Sequence, residues 1–505
     1  MKMSTETSHP DRVHVLIVGA GLSGICVALR LLKAGITDFR ILEKASGAGG
    51  VWRYNTYPGS ACDVKAYTYS FSFALNRNWT QMYATQREIL AYAEGLCRDH
   101  DLYSKMIFDT EVRSYDYDDT EAAWTVTAAD AAYTADILVD ATGVLHRPKV
   151  PDIAGRSRFT GAAFHSAEWD HSVDLRGKRV AVVGTGASAV QILPEISKYA
   201  ARVDVFQRTP QWVLPRANRP LLSVERALYR WFPATQKIQR YLNYWMHELV
   251  VVAFLHPALM TVFGAVSKRF LARQVSDPQL RAALTPDYRP GCKRFLITSE
   301  FYPALQRPNV RLVTDHITEF VESGLRTADG AVHELDAVVY CTGFRTDERI
   351  ALDHVAGREG TLLSEVWRDG MEAHLGTSVS GFPNFFLMMG PNSGSGHQSI
   401  LFAIEVQASY IVKCIQHMRR RRWRRIEVEA GAQKTFNEFV GSRLSGSVWN
   451  SGGCTSWFLD KAGKNRQVWP GWSVAYWWRL RRPVDKHFVA ASQQSPTAEL
   501  LGSER

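Results

Sequence analysis

The chain contains few cysteines, and no two of them are spaced as a CxxC pair. The seven cysteines among its 505 residues stand at positions 26, 62, 97, 292, 341, 414 and 454. This scatter argues against a disulfide framework, a zinc site and the redox-active pair that a disulfide reductase needs. It favours a reducing compartment, so we expect a cytoplasmic protein.

The chain also lacks a recognisable secretion signal and an uninterrupted membrane-spanning run. Residues 1–15 are mostly polar, which argues against a signal peptide. Residues 249–266 are mostly apolar, but His256, Pro257 and Thr261 interrupt them. We interpret this stretch as part of a helical insertion that helps to wall a substrate pocket. Insertion into a membrane is the second interpretation.

Acidic residues are outnumbered by basic ones, and the formal net charge is +10. Much of the excess is local, because residues 419–425 read RRRRWRR and residues 477–482 read WWRLRR. No nucleic-acid-binding motif accompanies either run, so we expect no nucleic-acid partner. Both are interpreted as solvated basic surface, and membrane contact through the Arg–Trp mixtures is the less favoured alternative.

The first part of the chain contains a complete dinucleotide-binding pattern. Apolar runs at 13–18 and 39–42 predict buried strands, and the periodicity of 25–32 predicts a helix between them. The fingerprint GAGLSG joins the first strand to this helix. Its glycines are Gly19, Gly21 and Gly24. They allow the backbone to approach a pyrophosphate at the positive end of the helix.

Glu43, at the end of the second predicted strand, indicates which dinucleotide binds there. It lies 22 residues beyond Gly21, where a carboxylate accepts a hydrogen bond from a ribose hydroxyl. A carboxylate at that position would repel a 2′-phosphate. The first site is therefore predicted to bind FAD rather than NADP.

A second fingerprint, GTGASA at 184–189, follows an apolar run at 179–183 and precedes a predicted helix. The next predicted strand, 203–207, ends in a cation rather than an acid, and a cation suits a 2′-phosphate. This site is therefore predicted to bind NADPH. Its candidate residues are Gly184, Gly186, Ser188, Arg208 and Thr209.

The stretch FTGAAFHSAEWD at 159–170 lies between the two fingerprints. The spacing of Phe159, Gly161, His165, Trp169 and Asp170 resembles the motif FxGxxxHxxxW followed by Pro or Asp of type I Baeyer–Villiger monooxygenases. Residues 49–63, GGVWRYNTYPGSACD, resemble a second signature of that family, which ends in an aspartate. The resemblance extends over about residues 12–482.

The resemblance assigns roles that composition and spacing do not. It implies that Asp63 lies near the flavin and pairs with a catalytic arginine. Residues 291–296, GCKRFL, resemble the segment that supplies Arg294 as this arginine and Lys293 as a partner of Arg208 at the 2′-phosphate. His165 is expected to couple domain movement to the flavin site rather than to carry a proton. The remaining cofactor-binding candidates are Gly50, Trp52, Tyr69 and Asn392.

The implied activity is a flavin-dependent oxygenation. NADPH would reduce bound FAD, O2 would add to the reduced flavin, and the resulting peroxide would attack a ketone to give an ester or lactone. A fixed cation suits the negative charge of that attack. The alternative is a flavin monooxygenase that acts mainly on nucleophilic sulfur or nitrogen, and sulfoxidation is also expected as a side activity.

The expected fold is α/β, with two nested Rossmann-like dinucleotide-binding domains and a helical insertion in the second. The strand-and-turn segments ILVDATG (137–143) and DAVVYCTGF (336–344) indicate an internal duplication. The FAD-binding domain is predicted at 1–145 and 379–490, the second part including a mobile C-terminal segment that closes over NADP. The NADPH-binding domain is predicted at 146–216 and 291–378, the insertion at 217–290 and a disordered tail at 491–505.

Overall fold

A computed structural model of the chain describes residues 12–346 and 354–492. The expectation of no signal peptide therefore falls largely outside the described residues, as does most of the predicted tail.

The strands are β1 (Arg12–Val18), β2 (Phe39–Leu42), β3 (Met106–Ile107), β4 (Val112–Asp118), β5 (Ala123–Ala128), β6 (Ala132–Asp140), β7 (Ala162–His165), β8 (Arg179–Val183), β9 (Arg202–Phe206), β10 (Val213–Leu214), β11 (Leu296–Ile297), β12 (Val310–Val313), β13 (Ile317–Val321), β14 (Gly324–Thr327), β15 (Val332–Glu334), β16 (Ala337–Tyr340), β17 (His354–Ala356), β18 (Phe385–Leu387), β19 (Trp423–Val428) and β20 (Phe488–Ser492).

Helices connect and cover these strands. They are α1 (Leu22–Lys33), α2 (Val51–Tyr54), α3 (Gln86–Asp99), α4 (Ala189–Ile196), α5 (Ser223–Trp231), α6 (Pro233–Leu255), α7 (Met260–Gln274), α8 (Pro278–Ala283), α9 (Phe301–Leu305), α10 (Leu363–Val366), α11 (Ile400–Arg421), α12 (Ala430–Ser445), α13 (Val448–Ser451) and α14 (Ser473–Arg479). Strand β20 includes the first two residues of the segment predicted as a disordered tail, because it pairs antiparallel with β19.

The larger sheet has eight strands and draws them from both ends of the chain. Its order is β17-β4-β5-β6-β1-β2-β3, and β18 also pairs with β6. The central strand β1 is parallel to both β2 and β6. Its interior residues Val15, Leu16 and Ile17 are fully buried, as expected for a parallel strand covered on both faces.

A second sheet is inserted within the first along the chain. Its order is β12-β9-β8-β16-β7, and all its pairings are parallel. Its strands come from residues 162–340, whereas the larger sheet uses residues before and after that range. The predicted α/β class with Rossmann-like sheets is thereby confirmed. The two sheets place two glycine turns at the carboxyl ends of β1 and β8.

Helices α5 to α8 occupy the region between β10 and β11, which pair with each other in parallel. Over the part of the chain that the structure describes, no single helix has the length and apolar character needed to cross a membrane. Pro233–Leu255 and Pro257–Gln274 meet that criterion only when taken together, and they are bent by 114° where they join.

The buried carboxylate of Glu405 joins helix α6 of the insertion to helices α1 and α11, which pack beside the larger sheet. Glu405 of α11 accepts a hydrogen bond from the backbone N–H of Ser72 at 2.7 Å. The guanidinium groups of Arg30 and Arg240 lie 3.6 and 3.5 Å from the same carboxylate. Buried charges are tolerated when they are paired in this way. Because Arg240 belongs to α6, the network fixes which side of α6 faces the protein.

One disulfide joins Cys292 to Cys454, and the other five cysteines are free and buried. The scattered cysteine positions had argued against disulfides, and this bridge was not expected from them. Its two residues are separated by 162 positions, and the fold brings their Cα atoms to 6.2 Å. Such proximity depends on tertiary structure and has no signature in the spacing.

Candidate active site

The first glycine turn joins β1 to α1 and is packed against a second glycine-rich segment. Gly19 has φ +107°, and a Cβ atom there would lie 2.6 Å from the carbonyl oxygen of Ala141. A Cβ atom on Gly50 would lie 2.9 Å from the Cα of Gly21, and one on Gly24 would overlap the Gly19 carbonyl. Helix α1 starts without a side-chain cap. Its first N–H groups are therefore suited to a pyrophosphate, and the residues fit a dinucleotide.

Glu43 lies directly after β2 and is 5% exposed. Its Oε2 accepts a hydrogen bond from the N–H of Ala20 at 2.7 Å, and its Oε1 accepts one from Ala45 at 2.9 Å. The carboxylate thus holds the glycine turn in place. Each carboxylate oxygen has a second lone pair, which leaves acceptor capacity for a ribose hydroxyl.

Trp52 and Tyr69, two of the predicted cofactor-binding residues, contact each other. The Nε1–H of Trp52 donates to the hydroxyl of Tyr69 at 3.1 Å, and the rings meet edge to face at 5.6 Å. Burial raises the pKa of Tyr69 well above its usual value. Its hydroxyl therefore stays protonated and can donate a hydrogen bond.

The second glycine turn repeats the geometry of the first. Gly184 also has φ +107°, and a Cβ atom there would lie 2.6 Å from the carbonyl oxygen of Cys341. A Cβ atom on Gly186 would be accommodated, because the nearest atom would be the same Cys341 oxygen at 4.0 Å. Ser188 precedes α4, which starts without a side-chain cap. This turn also fits a dinucleotide phosphate.

Two cations approach each other beyond the end of β9. Arg208 is exposed, and Thr209 beside it accepts a hydrogen bond from the hydroxyl of Thr185 at 3.2 Å. The ammonium of Lys293 lies 4.9 Å from the centre of the Tyr288 ring. Burial, and then the charge of Arg208, lower the pKa of Lys293. Two cations that repel each other at one place suit a dianionic phosphate.

Asp63 and Arg294, separated by 231 residues, form a bidentate ion pair. Arg294 Nε donates to Oδ2 at 3.0 Å, and Nη2 donates to Oδ1 at 3.0 Å and to Oδ2 at 2.8 Å. The charge of Asp63 is the main cause of a raised pKa of Arg294. The side chain of Arg294 is 41% exposed and that of Asp63 is 25% exposed, so both face accessible space. A planar guanidinium held in this way is a fixed cation.

The loop that carries Asp63 is clamped to α4 by Gln191. Tyr57 donates to Gln191 Oε1 at 3.1 Å, and Gln191 Nε2 donates to the carbonyl of Ala61 at 3.0 Å. A Cβ atom on Gly59 would lie 2.5 Å from the Gln191 carbonyl oxygen. The glycine in the second signature is therefore needed for a close approach. Sequence analysis missed Gln191, because nothing in the sequence names the partner of that glycine.

Arg216 is a second residue that sequence analysis did not single out for the site. Its Nη2 donates to the carbonyl of Cys62 at 3.3 Å, and its guanidinium lies 4.9 Å from the centre of the Tyr83 ring. Burial lowers its pKa, whereas the charge of Asp63 acts in the opposite direction. It therefore supports the backbone directly beside Asp63.

His165 ends β7 and is 1% exposed. Its Nδ1 accepts a hydrogen bond from the N–H of Ala167 at 3.1 Å, and its ring meets that of Phe344 edge to face at 5.6 Å. Burial lowers the pKa of His165 to about 4. The imidazole is therefore neutral near pH 7, and it lies in the second sheet rather than beside Asp63 and Arg294.

Other residues of the 159–170 stretch pack against β13, β7 and the residue before β16. Phe159 lies against Phe320 at 5.6 Å between ring centres, and Trp169 lies against Phe164 at 5.2 Å. A Cβ atom on Gly161 would lie 2.5 Å from the carbonyl oxygen of Asp336. The glycine is thus required where the chain passes close to the start of β16.

Asn392 lies in the GPNSGSGH segment and is buried. Its Nδ2 donates to the carbonyl oxygens of Asn465 at 2.9 Å and Val468 at 3.3 Å. Both amide hydrogens are thus used within the protein, and a cofactor would have to meet the carbonyl side or the backbone. The segment containing Asn465 is also bound through Cys454 to Cys292, next to Lys293.

Comparison with known proteins supports the same interpretation. A family model described as pyridine nucleotide-disulphide oxidoreductase matches residues 16–227. A solved structure described as oxidized steroid monooxygenase bound to NADP superposes with a TM-score of 0.86 at 31% identity, covering 95% of this chain and all of that one. A second, an OTEMO complex with FAD and NADP, gives 0.85 at 26% identity, with 96% and 100% covered.

A relative from Streptomyces coelicolor named Baeyer-Villiger monooxygenase is 44% identical over 477 residues, which is 94% of this chain and 92% of the relative. This similarity extends over nearly the whole length of both chains. It agrees with the two glycine turns and the Asp63–Arg294 pair found in this chain. This chain belongs to the Baeyer–Villiger monooxygenase family.

Proposed function

We propose that this enzyme uses NADPH and FAD to insert one oxygen atom from O2 beside a ketone carbonyl, giving an ester or lactone. The observation that carries the proposal is the bidentate pair between Asp63 and Arg294. The solved structures that resemble the chain are described with NADP, or with FAD and NADP. Sulfoxidation is proposed as a side activity.

FAD would be held by the first glycine turn. Its pyrophosphate would meet the N-terminus of α1, and its ribose would meet Glu43. Gly50, Trp52, Tyr69 and Asn392 are proposed to lie around it. When bound, FAD supplies the redox chemistry that takes a hydride from NADPH and delivers oxygen from O2 as a nucleophile.

NADPH would be held by the second glycine turn, with its pyrophosphate at the N-terminus of α4. Gly184, Gly186, Ser188 and Thr209 would line the approach. Arg208 and Lys293 would bind the 2′-phosphate. Burial is the main cause of the lowered pKa of Lys293, and this dianion would offset the repulsion from Arg208 that lowers it further.

Arg294 would stabilise the negative charge that develops on the carbonyl oxygen when the ketone is attacked. Arginine suits this role because it stays protonated. The hydrogen bonds to Asp63 use Nε and Nη2 and leave Nη1 outside the pair. Asp63 therefore fixes the orientation of the guanidinium without blocking all of its donors, and a preorganised donor is more effective than a mobile one.

His165 would act as a positioning residue between the NADPH-binding part and the flavin site. A buried, neutral imidazole at the end of β7 is poorly suited to carry a proton at neutral pH. Its proposed effect on catalysis therefore passes through Phe344 and the backbone that follows β16.

We also propose the domain limits given by the sequence, with the FAD-binding domain at 1–145 and 379–490, the NADPH-binding domain at 146–216 and 291–378, and the insertion at 217–290. The strand membership of the two sheets agrees with these limits except at β17, which pairs with β4 of the larger sheet and favours a return to the FAD-binding domain before residue 354. A cytoplasmic location is proposed although Cys292 and Cys454 are bridged, because the other five cysteines are free, and cell fractionation tests it.

Removal of either phosphate-binding cation should impair use of NADPH specifically. Each of Arg208→Ala and Lys293→Ala removes a charged hydrogen-bond donor worth about 1.5–3 kcal/mol, so the Kd for NADPH should rise by about 10- to 100-fold. NADH lacks the 2′-phosphate, and its Kd should change little. Lys178→Ala, at an exposed lysine, is the control. Equal losses with NADPH and NADH would refute the assignment.

Replacement of His165 should slow turnover while FAD remains bound. His165→Ala removes the contacts with Ala167 and Phe344. Movement of the NADPH-binding part should then no longer be coordinated with the flavin reactions. Stopped-flow absorbance should show altered rates of flavin reduction and reoxidation, with the spectrum of bound oxidised flavin intact. Loss of FAD itself would show that this histidine only supports packing.

Replacement of Arg294 should separate ketone oxidation from sulfide oxidation. Loss of a preorganised donor to developing negative charge costs about 3–4 kcal/mol, so Arg294→Ala should lower ester formation by about 100- to 1000-fold. Oxygenation of a thioether develops no such carbonyl charge and should suffer less. Arg294→Lys should not restore ester formation, because lysine lacks the planar fork.

The measurement is product analysis with one ketone and one sulfide. Arg289→Ala, at an exposed arginine five residues earlier, is the matched control and should behave like the wild type. Wild-type ester formation by Arg294→Ala would remove this arginine from the mechanism. Equal loss of both activities would favour a general defect over a role at the carbonyl oxygen.

A further inference from the structure

Helix α6 presents a continuous apolar stripe away from the protein. Five large side chains on it are between 50% and 64% exposed: Ile238, Tyr241, Leu242, Trp245 and Leu249. Their spacing of three and four residues places them along one face of the helix. Isolated exposed apolar residues are ordinary, but a stripe of this length marks a surface that something covers.

The opposite face of α6, which is turned toward the protein, is polar from Gln236 to Glu248 and apolar beyond, at Val251 and Phe254. Gln236, Asn243 and Glu248 are at most 3% exposed. Gln236 Nε2 donates to the carbonyl of Asn76 at 2.6 Å, and Glu248 accepts from the N–H of Val474 at 3.1 Å. Up to Glu248, helix α6 is therefore amphipathic in the reverse sense to an ordinary surface helix. These hydrogen bonds, with the Glu405–Arg240 pair, keep the apolar stripe outward.

The helices before and after α6 also carry exposed apolar side chains. On α5 and at its end, Val224, Leu228, Trp231 and Phe232 are between 41% and 76% exposed. On α7, Val262 and Val266 are 61% and 47% exposed. Because the apolar exposure continues over three successive helices, we name the outer surface of α5, α6 and α7 the insertion face.

The charged residues of the insertion face are almost all basic. Residues 222–274 contain seven Lys and Arg but only two acidic residues, Glu225 and Glu248. Glu225 is paired with Arg219 at 2.7 Å, and Glu248 is buried. The exposed basic side chains are Arg226, Arg230, Lys237, Lys268, Arg269 and Arg273.

We propose that the insertion face docks the enzyme on a bilayer that contains anionic phospholipid. The apolar stripe would enter the region between headgroups and acyl chains, and the basic side chains would meet the phosphates. Trp231, Tyr241 and Trp245 have the amphipathic rings that favour this depth. A second copy of the chain is the less suitable occupant, since it would bring one basic surface against another.

Docking of this kind does not depend on the proposed oxygenation, and it orients the molecule relative to the membrane. Glu248, on the inner side of α6, lies 3.3 Å from His397 of the GPNSGSGH segment. The docked helix would thus stand directly between the bilayer and that segment. An apolar ketone dissolved in lipid is the class of substrate that gains most from such a placement.

The test is co-sedimentation of the FAD-loaded enzyme with vesicles of phosphatidylcholine, alone or mixed with phosphatidylglycerol. Wild type should sediment with the mixed vesicles and less with the neutral ones, and high salt should release it. Leu242→Ser/Trp245→Ser/Leu249→Ser should weaken binding by more than about tenfold, because it removes buried apolar area. Arg226→Gln/Arg230→Gln/Lys237→Gln should weaken it by about 100-fold, at about 1 kcal/mol per charge.

The matched control is Val332→Ser/Val366→Ser/Val489→Ser, at apolar side chains that are similarly exposed but lie outside the insertion. It should bind as the wild type does. In a second measurement, lipids brominated in their acyl chains should quench tryptophan emission, and Trp245→Phe should reduce that quenching while binding persists. This single conservative change keeps the test valid if the triple variant does not fold.

Wild type that stays in the supernatant with both kinds of vesicle would overturn the proposal. So would a Leu242/Trp245/Leu249 variant that folds and binds as well as the wild type. A dimeric wild type that becomes monomeric in this variant, with no binding to vesicles by either, would show that a second copy covers the insertion face.

Discussion

The site depends on one ion pair between residues that lie far apart in the chain. Asp63 and Arg294 have to meet in a planar, two-pronged geometry, which holds the guanidinium in one orientation. Neither residue lies in a helix or strand of its own. Their positions are therefore set by the surrounding contacts, and much of the fold near the site can be understood as the means of holding them.

Separate contacts act on the two partners. Gln191 of α4 holds the loop that carries Asp63 through hydrogen bonds with Tyr57 and Ala61. These bonds connect residues 49–63 to a helix that follows β8 of the second sheet. On the other side, Cys292 is two residues before Arg294 and is joined to Cys454. The short pairing of β10 with β11 begins two residues after Arg294. The same few residues thus connect the phosphate-binding cations, the fixed guanidinium and the C-terminal segment.

The sequence predicts best what depends on local patterns. The predicted strands at 39–42 and 179–183 are β2 and β8, and the predicted helix at 25–32 lies within α1. Glycine turns are equally local, because a positive φ or a close carbonyl demands glycine in any fold. The family resemblance added the pairing of Asp63 with Arg294, which no local pattern contains.

Contacts that arise only in the folded chain were not predictable. The Cys292–Cys454 bridge, the Gln191 clamp and the bonds of Asn392 each join segments whose proximity depends on the tertiary structure. The insertion shows a different difficulty. Within the stretch interpreted as walling a pocket, Val251, Phe254 and Met260 are buried. The stripe, which lies mostly earlier on α6 and was not singled out by the sequence analysis, faces outward. Periodicity defines the two faces of a helix, but not which of them is buried.

We propose that Asp63 acts on catalysis through Arg294, by holding its guanidinium toward the ketone. A double-mutant cycle on kcat/KM for ester formation, with Asp63→Asn, Arg294→Ala and the double variant, tests it most directly. If Asp63 works only by orienting Arg294, Asp63→Asn should lower kcat/KM in the wild type and have almost no further effect in Arg294→Ala. Losses that add in the double variant would show that the two residues act independently, and the account would be wrong.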